Sequence, residues 1–143
     1  MFKYLKMKLT MSPIYYRMIN IIRTRAWVNS EVPKTSYISQ TAQIIGLDQI
    51  LIGNHTTISD DVWININHRL NKEASLIIGD NCIIGRRAFI TVAKKVKIGD
   101  YTSMGVNCLL LGAHHDYKDP LQPYTIAKID DQREIEIGTN CFL

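Results

Sequence analysis

An aliphatic residue returns at six-residue intervals along most of this chain, usually followed by Gly or a small polar residue. The series reads Ile38, Ile44, then Ile52, Ile58, Ile64, then Ile78, Ile84, Ile90, then Ile98, Met104, Leu110, and last Ile137 and Leu143. A unit this short cannot bury its apolar residue alone, so successive units must wind into a coil whose turns cover one another. That phase predicts a stacked parallel β-helix. A β-sandwich is disfavoured, because its alternating strands keep no common six-residue phase.

Four units open alike, as Ile52-Gly53-Asn54, Ile78-Gly79-Asp80, Ile98-Gly99-Asp100 and Ile137-Gly138-Thr139. Gly tolerates tight backbone geometry and Asn or Asp can bond to its own turn, so these tripeptides predict corners that lead into short strands. The fifth position of most units is small: Ala42, Thr56, Val62, Cys82, Ala88, Thr102, Cys108 and Cys141. Such side chains fit beside a large aliphatic inside a narrow prism. The exceptions, Asp48, His68, Lys94 and His114, mark where added residues leave the coil.

Three excursions are expected. One passes through His68 to Glu73, a shorter one through Lys94, Lys95 and Lys97, and the longest covers about 112–136. Loops on a rigid coil are where chemistry is usually placed, because the coil's interior is filled. The longest carries His114-His115-Asp116-Tyr117-Lys118-Asp119-Pro120.

Hexad phase, Ile-Gly-Asp corners and a histidine-bearing loop together resemble the hexapeptide-repeat acyltransferases, over about residues 36–143. The resemblance implies an all-β, left-handed parallel β-helix with three hexads per turn. Its hand comes from the family alone, since parallel crossovers are otherwise right-handed. Within the family the loop resembles that of sugar and polysaccharide O-acetyltransferases of the maltose, galactoside and colanic-acid types. His115 aligns with their catalytic histidine, and His115-Asp116-Tyr117 followed by Asp119-Pro120 matches a pattern of that branch.

The implied reaction is transfer of an acetyl group from acetyl-CoA to a sugar hydroxyl. A hydroxyl is a poor nucleophile at neutral pH, and an imidazole can accept its proton as the new bond forms. His115 is the candidate base, with a backbone N–H stabilising the oxyanion. Asp116 and Tyr117 are candidates for contact with the acceptor, Asp116 alternatively orienting the imidazole or shaping a turn. Phe142 aligns with a position often held by Trp beside the pantetheine arm of CoA. His114, His55 and His68 are read as structural or surface residues.

No metal is expected. Some hexapeptide-coil proteins resemble carbonic anhydrases that bind zinc through histidines several residues apart, whereas His114 and His115 are adjacent and their side chains diverge. The three cysteines share one small-residue slot, which points to packing rather than to a disulfide framework.

Charge separates the chain into two parts. Residues 1–30 hold Lys3, Lys6, Lys8, Arg17, Arg23 and Arg25 with no acid, and the remainder has 11 bases against 13 acids. The basicity therefore belongs to an N-terminal arm, assigned to residues 1–35, and the coil to residues 36–143. No coil face carries a basic stripe with interleaved aromatics, so nucleic acid is not an expected partner. Ser12-Pro13 and the spacing of Tyr15, Met18, Ile19 and Ile22 predict a short helix over about 14–25. That helix either caps the open coil or rests its Lys and Arg on an anionic membrane. With no apolar run near the ~20 residues that span a bilayer and no convincing secretory leader, a cytoplasmic protein is expected.

Two departures from the family bear on function. Where galactoside and maltose enzymes place an acceptor-binding Asn and Asp, this chain has Gly85 and Ala93, with Arg86 and Arg87 nearby, read by default as solvent-exposed and alternatively as groups to meet a phosphate or carboxylate. Family members also continue past the equivalent of Phe142 into turns that contact CoA, whereas this sequence stops at Leu143, so C-terminal turns are expected to be missing. A homotrimer with sites between neighbouring coils is implied by the resemblance. The alternative to an enzyme is a catalytically silent coil that serves as an assembly module.

Overall fold

Each aliphatic of the six-residue phase stacks directly on its equivalent one turn earlier. The computed structural model describes residues 32–67, 71–129 and 132–143, a compact unit spanning Val32–Leu143. It contains twelve short strands: β1 (Tyr37–Ile38), β2 (Gln43–Ile45), β3 (Ile50–Ile52), β4 (Thr57–Ile58), β5 (Trp63–Ile66), β6 (Ser75–Ile78), β7 (Ile83–Ile84), β8 (Phe89–Val92), β9 (Lys95–Ile98), β10 (Ser103–Met104), β11 (Leu109–Gly112) and β12 (Glu134–Ile137). Consecutive strands never pair. Instead β1, β4, β7 and β10 form face one, β2, β5, β8 and β11 face two, and β3, β6, β9 and β12 face three.

All pairings are parallel and in register. Ile38, Ile58, Ile84 and Met104 form one inward column, Ile44, Ile64, Ile90 and Leu110 the second, and Ile52, Ile78, Ile98 and Ile137 the third. The architecture is an all-β, left-handed parallel β-helix of three-sided turns. Mid-coil aliphatics such as Ile64 and Ile90 are wholly buried, and each contributes about 1.5–3 kcal/mol through the water it sheds. β-branched residues dominate these columns because their stiff side chains pack well on a pleated surface.

The small positions form a polar ladder inside the coil. The Thr56 hydroxyl donates to the Gly79 carbonyl at 2.7 Å and accepts from the Cys82 N–H at 3.0 Å. Two turns on, the Thr102 hydroxyl donates to the Gly138 carbonyl at 2.9 Å and accepts from the Cys141 N–H at 3.2 Å. Corner groups that would be orphaned in the interior are thereby satisfied.

The corners differ from the sequence expectation in their physical cause. The left-handed backbone falls two residues after the glycine, at His55, Asn81, Tyr101 and Asn140. Glycine is needed for approach instead: a Cβ on Gly99 would stand 2.7 Å from the backbone of Gly138 on the next turn. The carboxylates likewise serve a neighbouring turn, Asp80 accepting from the Asn54 N–H at 2.6 Å and Asp100 from the Asp80 N–H at 2.9 Å.

All the excursions leave from the edge between faces two and three. Lys95 and Lys97, expected in an excursion, lie on β9, because their register pairs them with Glu134 and Glu136 of β12. Among the described residues there is no α-helix and no disulfide. The predicted N-terminal helix and His68 lie outside the described residues.

Candidate active site

Face two ends in the histidine loop. At Gly112 the ladder with β8 stops, and the next amide, Ala113 N–H, donates to the Thr91 hydroxyl at 3.2 Å. The loop then folds back on itself. His115 bridges antiparallel to Ile129, and Asp116 N–H donates to the Lys128 carbonyl at 2.7 Å.

This return sets the imidazole. His115 Nδ1 lies 2.9 Å from the carbonyl oxygen of Ala127. A carbonyl only accepts, so Nδ1 carries the hydrogen and Nε2 of the neutral ring keeps its lone pair. Ala127 is itself held, buried, by N–H contacts to the carbonyls of Pro123 and Tyr124 at 3.1 and 3.3 Å. His115 as a whole is exposed. A fixed imidazole with an unprotonated Nε2 is chemically a proton acceptor.

The other sequence candidates occupy different positions. Half-buried His114 places Nδ1 2.8 Å from the His115 carbonyl, and its ring lies 5.7 Å from that of Tyr117. The Asp116 carboxylate accepts from Lys118 N–H at 2.9 Å, a turn contact, so the imidazole is oriented by a backbone carbonyl and not by this acid. Tyr117 is mostly exposed. Phe142 is 83% exposed and bridges to Ser103 on face one, whereas His115 follows β11 of face two. His115, Asp116 and Tyr117 thus share one loop, and Phe142 stands on another face.

Gly85 has a structural cause, since a Cβ there would meet the Met104 carbonyl at 2.5 Å; Ala93 is buried. Arg86 lies 3.9 Å from Asp60 and 3.8 Å from Asp61, and Arg87 Nε donates to Asn107 Oδ1 at 2.8 Å. These are exposed contacts between turns. On face three Lys97 meets Glu136, and Lys94 meets Glu134 beside the point where the loop rejoins the coil, both at 2.7 Å. Among the described residues no group of three or more His, Cys, Asp or Glu is disposed to hold a metal ion, and no helix is long and apolar enough to cross a membrane.

Sequence reasoning missed Thr91 and Ala127. Ala127 acts through its main chain, which no side-chain motif can signal. Thr91 is visible only once β8 lies beneath β11.

No protein-family model matches the chain, and no curated protein matches it. Among solved structures it is similar to a mutant of AntD, an N-acyltransferase from Bacillus cereus in complex with dTDP and coenzyme A, with a TM-score of 0.56 and 15% identity over 75% of this chain. The match covers 59% of the AntD chain. Serine acetyltransferase 1 from Entamoeba histolytica, in complex with L-cysteine, is similar at a TM-score of 0.44 and 14% identity, covering 82% of this chain and 40% of that one. The likeness to AntD is one of fold, and it agrees with the coil described above.

Proposed function

We propose that this protein is a CoA-dependent O-acetyltransferase that moves an acetyl group from acetyl-CoA to a sugar hydroxyl, in the making of a surface polysaccharide. The observation that carries this proposal is the His115 Nδ1 to Ala127 carbonyl contact of 2.9 Å, which leaves Nε2 as a base. The acceptor hydroxyl attacks the thioester carbonyl carbon while His115 Nε2 takes its proton. The tetrahedral intermediate then collapses, the C–S bond breaks, and His115 returns the proton to the departing CoA thiolate. No covalent enzyme intermediate is involved.

Asp116 and Tyr117 contact the acceptor from the same loop, and the exposed ring of Phe142 packs on the pantetheine arm of CoA. Three copies assemble side by side, so that the loop of one coil faces a neighbour's face and Phe142 meets a loop other than its own. The exposed row of Trp63, Leu109 and Leu111 on face two supports such association. The enzyme works in the cytoplasm, its basic N-terminal arm resting on an anionic membrane where lipid-carried sugars are found.

The test is release of CoA thiol from acetyl-CoA, measured with and without a panel of sugars and sugar nucleotides. Release that depends on a sugar, with a matching acetylated product, supports the proposal. An absence of any acceptor-dependent release, together with no rise in melting temperature on adding acetyl-CoA, overturns it. The same exposed row also favours a second reading, a silent assembly module, which predicts stable trimers that leave acetyl-CoA untouched.

A further inference from the structure

We infer that Thr91 is a positioning residue for His115, acting through the hydrogen bond between its side chain and the backbone of Ala113. The inference rests on reading His115 as the base of the proposed reaction, and it concerns what holds that base in one tautomer and one orientation.

Thr91 is the third residue of β8, in register with Leu111, on the outward row of face two. It is nonetheless nearly buried. Its hydroxyl takes the Ala113 N–H at 3.2 Å, at the point where the ladder has run out. Valine in its place would fill the same volume and leave that amide without a partner.

Gly112 tightens the same point. A Cβ there would stand 2.6 Å from the Thr91 carbonyl and 2.9 Å from Val96 Cγ2, so the last residue of β11 lies close against both β8 and β9. The chain therefore leaves the coil from a fixed position. Three residues after Gly112, His115 must meet a carbonyl on the returning strand, and Nδ1 reaches the Ala127 oxygen only while both strands of the loop keep their relative place. The returning strand is tied to the outgoing one by Asp116 N–H to the Lys128 carbonyl and by the His115 to Ile129 bridge, so the anchoring of the outgoing strand to the coil bears on both. The outgoing strand is fixed by Thr91. Without its hydroxyl the outgoing strand shifts, the Nδ1 contact lengthens, and the neutral ring exchanges between tautomers.

The test uses the full chain and two variants, Thr91→Val and Thr91→Ser. Ring-nitrogen NMR of isotope-labelled histidine, with the His115 signals assigned by their loss in His115→Gln, reads the tautomer directly. Wild type and Thr91→Ser are expected to show the single Nδ1–H form. Thr91→Val is expected to show a mixture, with kcat lowered roughly 10- to 100-fold and the KM for acetyl-CoA unchanged. A Thr91→Val protein that keeps the single tautomer overturns the inference, and so does a Thr91→Ser protein that loses it. Should Thr91→Val fail to fold, amide exchange in the wild type decides: Ala113 exchanging as slowly as the β11 ladder amides supports the hydrogen bond, and exchange at loop rates overturns it. The tautomer and exchange readouts need no turnover, so a protein without acyltransferase activity would sink the proposed function while leaving this inference to its own result.

Discussion

His115 and Ala127 stand twelve residues apart in sequence and 2.9 Å apart in space, ring Nδ1 to main-chain oxygen. An amide oxygen does not titrate, and any residue at position 127 supplies one. Among the described residues the histidine is therefore oriented by a main-chain oxygen and not by an acid, and the nearest acid in sequence, Asp116, spends its carboxylate on the Lys118 amide.

Replacing Asp116 with Asn keeps an oxygen for the Lys118 amide and leaves the Ala127 contact untouched. The kcat for acetyl transfer should stay within about threefold of wild type, where loss of a true proton-relay partner costs about 10²–10⁴. Steady-state kinetics decide between the two. A rise in the acceptor KM with kcat kept is the result expected of the acceptor contact proposed for Asp116.

The corners carry stability that can be moved in both directions. Tyr101 holds a left-handed φ of 59° at a position where equivalent corners use Asn81 and Asn140, and the residue is 64% exposed. Tyr101→Asn should stabilise by about 0.5–1 kcal/mol. Gly99→Ala should destabilise by about 1–3 kcal/mol, because the added methyl meets the Gly138 backbone. Urea unfolding curves report both changes.

Much of this coil is legible in the sequence, because a six-residue phase places each aliphatic in a column before any coordinate is known. Ile44, Ile64, Ile90 and Leu110 stack as that phase requires. The purpose of the glycines is not legible, since it arises from the turn above and not from the turn they belong to. Lys95 and Lys97 read as part of a basic excursion until β12 supplies Glu134 and Glu136 opposite them, more than thirty residues later. The histidine loop announces itself through its motif, but its orienting group is a carbonyl, and Thr91 sits on another turn.

Stability at acid pH should follow the face-three ion pairs. Hydrogen bonding to Lys94 holds the Glu134 carboxyl below its ordinary range, and Lys97 does the same for Glu136. A carboxylate whose folded value is depressed contributes stability above its unfolded pKa and loses it as pH falls through the folded value. The reciprocal shift of Lys97, raised by Glu136, is lost only on the alkaline side, as pH climbs through the raised lysine value. The melting temperature should therefore fall on acidification more steeply in wild type than in Glu134→Gln/Glu136→Gln, and high salt should shrink the difference because these groups face solvent.

Thiol chemistry should separate the cysteines. Cys82 is wholly buried, its Sγ 3.2 Å from the Gly99 carbonyl, and burial pushes its pKa up. Cys108 and Cys141 are only partly buried. Iodoacetamide on the native protein should label Cys108 and Cys141 well before Cys82, as read by peptide mass spectrometry. Labelling of all three at one rate would mean that the coil opens readily.

The most direct measurement compares initial rates of acetyl transfer from acetyl-CoA to the best acceptor for wild type and His115→Ala, with folding checked by circular dichroism. Removal of the base should lower kcat by about 10²–10⁴ while the KM for acetyl-CoA stays near its wild-type value. A folded His115→Ala protein that transfers acetyl groups within a factor of about two of wild type would contradict the assignment of His115 as the group that takes the proton.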